Sequence, residues 1–119
     1  MSDFELVDEG GGKFSLKGRM TFDTVTEILR QSEEPFSEHT RIEVSLAGVT
    51  EADSAGLALL LEWITWANHT VREISFTDIP ERIKAIARVT EVDNLLTRGE
   101  RWAGFIQAPG SAETAARER

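Results

Sequence analysis

Phe4-Glu5-Leu6-Val7 alternates enough to predict a first strand, and Lys13-Phe14-Ser15-Leu16-Lys17 alternates polar and apolar as a second. Between them Gly10-Gly11-Gly12 supplies the positive φ that a tight turn needs, so the pair reads as a hairpin. Gly18 ends the second strand. From Thr21 to Ser32 the apolar positions Phe22, Val25, Ile28 and Leu29 follow helical spacing. Thr21 or Asp23 is available to cap that helix, and Pro35 closes the segment.

Arg41-Ile42-Glu43-Val44-Ser45-Leu46 alternates strictly and predicts a third strand. After a short connector, Ser54 to Ala67 forms the strongest helix in the chain. Glu73-Ile74-Ser75-Phe76-Thr77 predicts a fourth strand. Pro80 suits the first turn of a third helix, on which Ile83, Ile86 and Ala87 make one apolar stripe. Strands joined by helices of this size pair in parallel, while the first strand pairs antiparallel at one end. The expectation is a single α/β domain: a mixed four- to five-stranded sheet with three to four helices. No internal repeat interrupts it. The stretch from Gln107 onward, QAPGSAETAARER, has no large apolar residue and predicts a disordered tail.

On the central helix, at about 100° per residue, Leu57, Leu60, Leu61, Ile64 and Ala67 share a face that must be the core stripe. Ala58, Glu62 and Thr65 lie roughly opposite. Leu59, Trp63 and Trp66 form a second apolar stripe beside the first, widening the apolar arc to about 220°, where a half-buried helix needs little more than 100°. Either the chain's own C-terminal segment or a partner protein covers the excess. Tryptophan is enriched at binding hot spots, which favours the partner.

Length and charge narrow the picture. A chain of 119 residues suits one domain, and its 40% hydrophobic content is ordinary for a globular protein. The formal net charge of −8 leaves no basic footprint for nucleic acid. That charge is uneven: residues 1–53 carry 12 acids and 5 bases, whereas residues 54–119 carry 9 and 8. The acidic half is either a solvated face or the attraction for a partner with a basic surface. No cysteine is present, which excludes disulfides and thiolate-ligated metals. The acidic start lacks a signal-peptide pattern, and the longest apolar run, Ala55 to Leu61, is far shorter than the roughly 20 residues a membrane span needs. The reading is a soluble cytoplasmic protein without direct membrane insertion.

Asp53 and Ser54 are both good N-caps, which is one sufficient reason for their presence. A second reading is open. A hydroxyl at a helix N-terminus is placed where an attached phosphate would meet free N–H groups and the positive end of the helix dipole. Such a phosphate would be tolerated by the fold yet would repel an acidic surface docking on it, and Asp53 would sharpen the effect.

Enzyme chemistry finds little support. His39 and His69 are far apart in sequence, and neither adjoins a plausible nucleophile. His69 and Glu73 stand four apart, but Thr70-Val71 and the strand that follows argue that the helix has ended, so both histidines are expected to be solvated loop residues. Gly10-Gly11-Gly12 lies in a hairpin, not between strand and helix, and is no phosphate cradle. No catalytic residue, metal ligand or cofactor is expected.

At the central helix the chain resembles the STAS domain, the family of anti-sigma factor antagonists and sulfate-transporter regulatory domains. The residues that carry the resemblance are the strand Arg41 to Leu46, then Gly48-Val49-Thr50, then Asp53-Ser54-Ala55-Gly56-Leu57 opening a long apolar helix. Phe14-Ser15-Leu16-Lys17-Gly18-Arg19-Met20-Thr21 is similar to the family's second strand and its exit into the first helix. Residues 1–98 form the expected STAS-like domain and 99–119 a C-terminal extension bearing Trp102, Phe105 and Ile106. Within the family, Ala55-Gly56-Leu57-Ala58-Leu59-Leu60-Leu61 is most similar to the MlaB group, STAS subunits of bacterial Mla phospholipid-transport complexes.

That resemblance implies a non-enzymatic cytoplasmic accessory subunit bound to the ABC ATPase of a lipid transporter, and so held at the inner face of the inner membrane. It implies a partner contact made by Asp53, Ser54, Ala55, Gly56, Leu59, Glu62, Trp63 and Trp66. Ser54 also occupies the position phosphorylated in the antagonists. The alternative is therefore an anti-sigma factor antagonist, switched when an anti-sigma factor serine kinase modifies Ser54. Antagonists more often have a second glycine and a basic stretch where this chain has Glu62-Trp63-Ile64-Thr65-Trp66.

Overall fold

Three glycines with positive φ, Gly10 at 93°, Gly11 at 66° and Gly12 at 85°, turn the chain back on itself at its first hairpin. The Asp8 side chain accepts from the Gly10 N–H at 2.8 Å, and the strand bulges there. The computed structural model describes residues 3–92, and the expectations for Trp102 to Ile106 and for the tail from Gln107 lie outside the described residues. Within that span β1 (Phe4–Gly10) and β2 (Lys13–Met20) form the hairpin, followed by α1 (Val25–Ser37), β3 (Arg41–Ala52), α2 (Ser54–His69), β4 (Glu73–Thr77) and α3 (Glu81–Val89). The four strands lie in chain order, β1-β2-β3-β4. β1 pairs antiparallel with β2, and β2, β3 and β4 are mutually parallel, so the sheet is mixed as the alternation predicts.

Register explains why one face is core. Phe14 aligns with Val44, which aligns with Phe76, and all three are buried. The next row, Ser15, Ser45 and Thr77, points to the opposite face and is only half-buried. Ile42, Leu46 and Ile74 extend the apolar side, where each fully buried side chain contributes roughly 1.5–3 kcal/mol.

Several boundaries differ from the sequence reading. β2 does not end at Gly18; it runs on to Met20, with its register shifting between Gly18 and Arg19. β3 has 12 residues, because Gly48 to Ala52 pair with Lys17 to Met20 where a connector is expected. α1 begins at Val25, four residues after Thr21. The Thr24 hydroxyl accepts from the Thr21 N–H at 3.0 Å and lies within bonding distance of the Arg19 carbonyl at 2.9 Å, which stabilises a turn in place of a first helical turn. Phe22 sits in that turn and is 81% exposed, not on the core stripe. Pro35 lies inside α1 rather than closing it.

That last turn persists because both ends of it are held. Phe36 is buried against Phe14 and Trp63, with ring centroids at 4.8 Å and 5.2 Å. Arg72, just past α2, donates to the Ser37 and His39 carbonyls at 2.9 Å and 2.8 Å while its guanidinium lies over Trp66. Together these offset the helix bond that a proline cannot make. His39 is a loop residue as expected but half-buried, with its ring 5.9 Å from Phe14, whereas His69 is exposed as expected but ends α2 rather than lying in a loop.

Candidate functional site

Asp53 is the N-cap of α2. Its Oδ1 accepts from the Ala55 N–H at 2.9 Å, satisfying a free amide of the first turn, and its Oδ2 accepts from the Phe22 N–H at 3.2 Å. One carboxylate therefore ties the β2–α1 loop to the start of α2. Ser54, the first helical residue, is exposed, and Ala55 beside it is half-buried. Phe22, whose spacing to Val25 and Leu29 is helical, stands instead in the loop at the edge of this surface.

Behind the cap lies an acidic cluster with one cation. The Arg19 guanidinium contacts Glu51 at 3.2 Å, Asp23 at 3.2 Å and Asp3 at 3.7 Å. Glu51 above all, then Asp23 and Asp3, hold Arg19 above its ordinary range. These pairs are exposed to water, so each contributes little to stability; their effect is to shape the field around Ser54.

Along α2 the exposed line is Ser54, Ala58, Glu62 and Thr65. Beside it a groove separates α2 from α1. Its first part, with a cavity volume of about 210 Å³, is lined by residues including Val25, Leu29, Ala55, Ala58 and Glu62. The second part, about 120 Å³, continues past Leu29 and Glu62 to Ser32, Glu33, Phe36 and Trp66. Apolar walls bordered by two carboxylates, Glu33 and Glu62, suit an apolar segment flanked by basic residues. Among the described residues no group of three or more His, Asp or Glu is placed to hold a metal ion.

The structure divides the eight expected contact residues. Asp53, Ser54 and Ala55 come together at the head of α2, and Glu62 and half-buried Trp66 lie farther along the groove. Gly56, Leu59 and Trp63 are buried, and of these Leu59 and Trp63 also form the floor of the groove. Leu59 is 3% and Trp63 1% exposed. A Cβ on Gly56 would stand 2.8 Å from the Met20 carbonyl oxygen, so this glycine lets α2 lie directly on the end of β2. The Trp63 indole N–H donates to the Ser32 hydroxyl of α1 at 2.9 Å, and its ring packs between Phe36 and Phe76. Much of the excess apolar arc is thus covered by α1, which neither alternative drawn from the sequence included.

The family model described as Mlab, STAS domain matches residues 7–97, most of the chain. The chain belongs to the MlaB-type STAS domain family. Among solved structures, this STAS domain is similar to the anti-sigma factor antagonist SpoIIAA in its unphosphorylated form, with a TM-score of 0.60 and 13% identity. That likeness covers 76% of this chain and 83% of that one, and at such identity it is a likeness of fold. No curated protein sequence matches the chain. The STAS assignment places Asp53-Ser54-Ala55-Gly56-Leu57 at the strand-to-helix junction described above, with its glycine and leucine buried and its serine facing water.

Proposed function

We propose that this STAS domain is a non-enzymatic, cytoplasmic accessory subunit that binds the ABC ATPase of a bacterial Mla-type phospholipid-transport complex. It would sit at the inner face of the membrane through that partner. No helix among the described residues is long and apolar enough to cross a membrane. The observation that carries the reading is the apolar groove between α1 and α2, opening beside Ser54 in a chain whose family model is the MlaB-type one. Durable interfaces are built on apolar area, with charge confined to the rim. Asp53, Ser54, Ala55, Glu62 and Trp66 form the contact, joined by Leu29 and Ala58.

Co-expression of the full chain with the ATPase of an Mla-type transporter from the same genome tests it. Ala58 is exposed, so Ala58→Arg leaves the fold intact and should reduce co-purification of the ATPase at least tenfold. Equal recovery with Ala58→Arg, at an unchanged melting temperature, would overturn the assignment of this surface.

A second reading rests on a separate observation: Ser54 is exposed at the first position of α2. That placement supports an anti-sigma factor antagonist whose partner is an anti-sigma factor serine kinase, as the fold likeness to SpoIIAA also suggests. Incubation with such a kinase should then place phosphate on Ser54, and Ser54→Asp should bind the kinase more weakly than Ser54→Ala. Equal binding by the two variants rejects the switch.

A further inference from the structure

Phe22 exposes 81% of its surface, next to the head of α2. The other two large apolar residues exposed among those described, Val71 and Val89, lie at the distal ends of α2 and α3. An exposed phenylalanine is unremarked on a frayed loop, but this loop is fixed from several directions. The Phe22 N–H donates to Asp53 at 3.2 Å, the Thr21 N–H donates to Thr24 at 3.0 Å, and Arg19 donates to Asp23 at 3.2 Å. The backbone is ordered before any partner arrives, which lowers the entropy lost on binding.

Charge identifies what the ring meets. Four carboxylates, Asp3, Asp23, Glu51 and Asp53, surround the loop, with Arg19 the one cation bonded among them. An anionic lipid surface is repelled by such a cluster, whereas a basic protein surface is drawn to it. We infer that Phe22 is an anchor of the partner interface, its ring entering an apolar pocket on the partner protein bordered by arginine or lysine side chains. This rests on the ATPase-binding reading above and extends it from the α1–α2 groove to the β2–α1 loop.

The test is calorimetric titration of the purified ATPase with the full chain, at low and at moderate salt. Phe22→Ala should weaken binding by roughly 30-fold or more, as loss of an aromatic anchor does. Phe22→Leu should weaken it less, and Val89→Ala should bind as the unaltered chain does. The melting temperature of free Phe22→Ala should match that of the unaltered chain, and added salt should weaken the complex. Binding by Phe22→Ala within threefold of the unaltered chain overturns the inference alone. So does a lowered melting temperature for that variant, which would mean that the chain covers the ring itself. Sedimentation with phosphatidylglycerol vesicles that Phe22→Ala abolishes would assign the ring to lipid and overturn it too. Failure of the unaltered chain to bind the ATPase would instead overturn the functional reading, and the inference with it.

Discussion

The indole N–H of Trp63 donates to the Ser32 hydroxyl at 2.9 Å, and that hydroxyl lies 2.7 Å from the Leu29 carbonyl. The pair joins α2 to α1 where both side chains are almost fully buried. Ser32→Ala leaves the indole N–H without a partner and should cost about 1–3 kcal/mol. Trp63→Ala removes the ring as well and should cost about 3–5 kcal/mol. Urea denaturation of both variants checks the order. If Trp63→Ala were as stable as the unaltered chain, the ring would not be core.

Gly56 answers to the same logic of close approach. Gly56→Ala would improve helix propensity on an exposed helix, but here the added methyl meets the Met20 carbonyl oxygen at 2.8 Å. Overpacking of this kind costs about 1–3 kcal/mol, more than the propensity gain of up to about 1 kcal/mol. The expected outcome is a lower urea midpoint with an unchanged denaturant slope.

Val71 and Glu91 follow α2 and α3 with φ of 56° and 63°. In each case the next N–H reaches back to a helix carbonyl, Arg72 to Ala67 at 2.8 Å and Val92 to Ala87 at 2.9 Å, the pattern usually ended by glycine. A β-branched residue is poorly suited to this backbone region, and Val71 is 88% exposed, so its side chain gives up little packing. Val71→Gly should therefore stabilise the domain by about 0.5–1 kcal/mol, read as a higher melting temperature.

Glu27 provides a pH signature. A hydrogen bond from Arg30, with another from Gln31, lowers its carboxyl from 4.5 to about 2. A carboxyl depressed in the folded state contributes stability above its unfolded value, and that contribution is lost as pH falls through the folded value. The window is thus from about 4.5 down to about 2, and the effect is small because the pair is exposed. NMR titration should find Glu27 with a midpoint well below 4.5, and Arg30→Ala should return it toward 4.5.

Strand alternation made the sheet legible, because each of Phe14, Leu16, Ile42, Val44, Ile74 and Phe76 is flanked by polar residues facing the other way. The Asp53–Ser54 junction was equally legible, since capping chemistry is local. The division of contact from core along α2 was not. Reading Pro35 as the end of the first helix left out Phe36, the ring that meets Trp63 and Trp66. Without Phe36 the width of the apolar arc has no intramolecular explanation. Phe22 failed for a different reason: its spacing to Val25 and Leu29 is helical, but hydroxyl bonds from Thr24 hold a turn that periodicity does not register.

The strand order has a consequence for synthesis. Because β1, β2, β3 and β4 occupy the sheet in the order in which they are translated, each new strand finds its neighbour already at an open edge. None has to be threaded between two strands made earlier. The sheet can therefore assemble by accretion as the chain leaves the ribosome, with the five residues of β4 the last to join among the described strands.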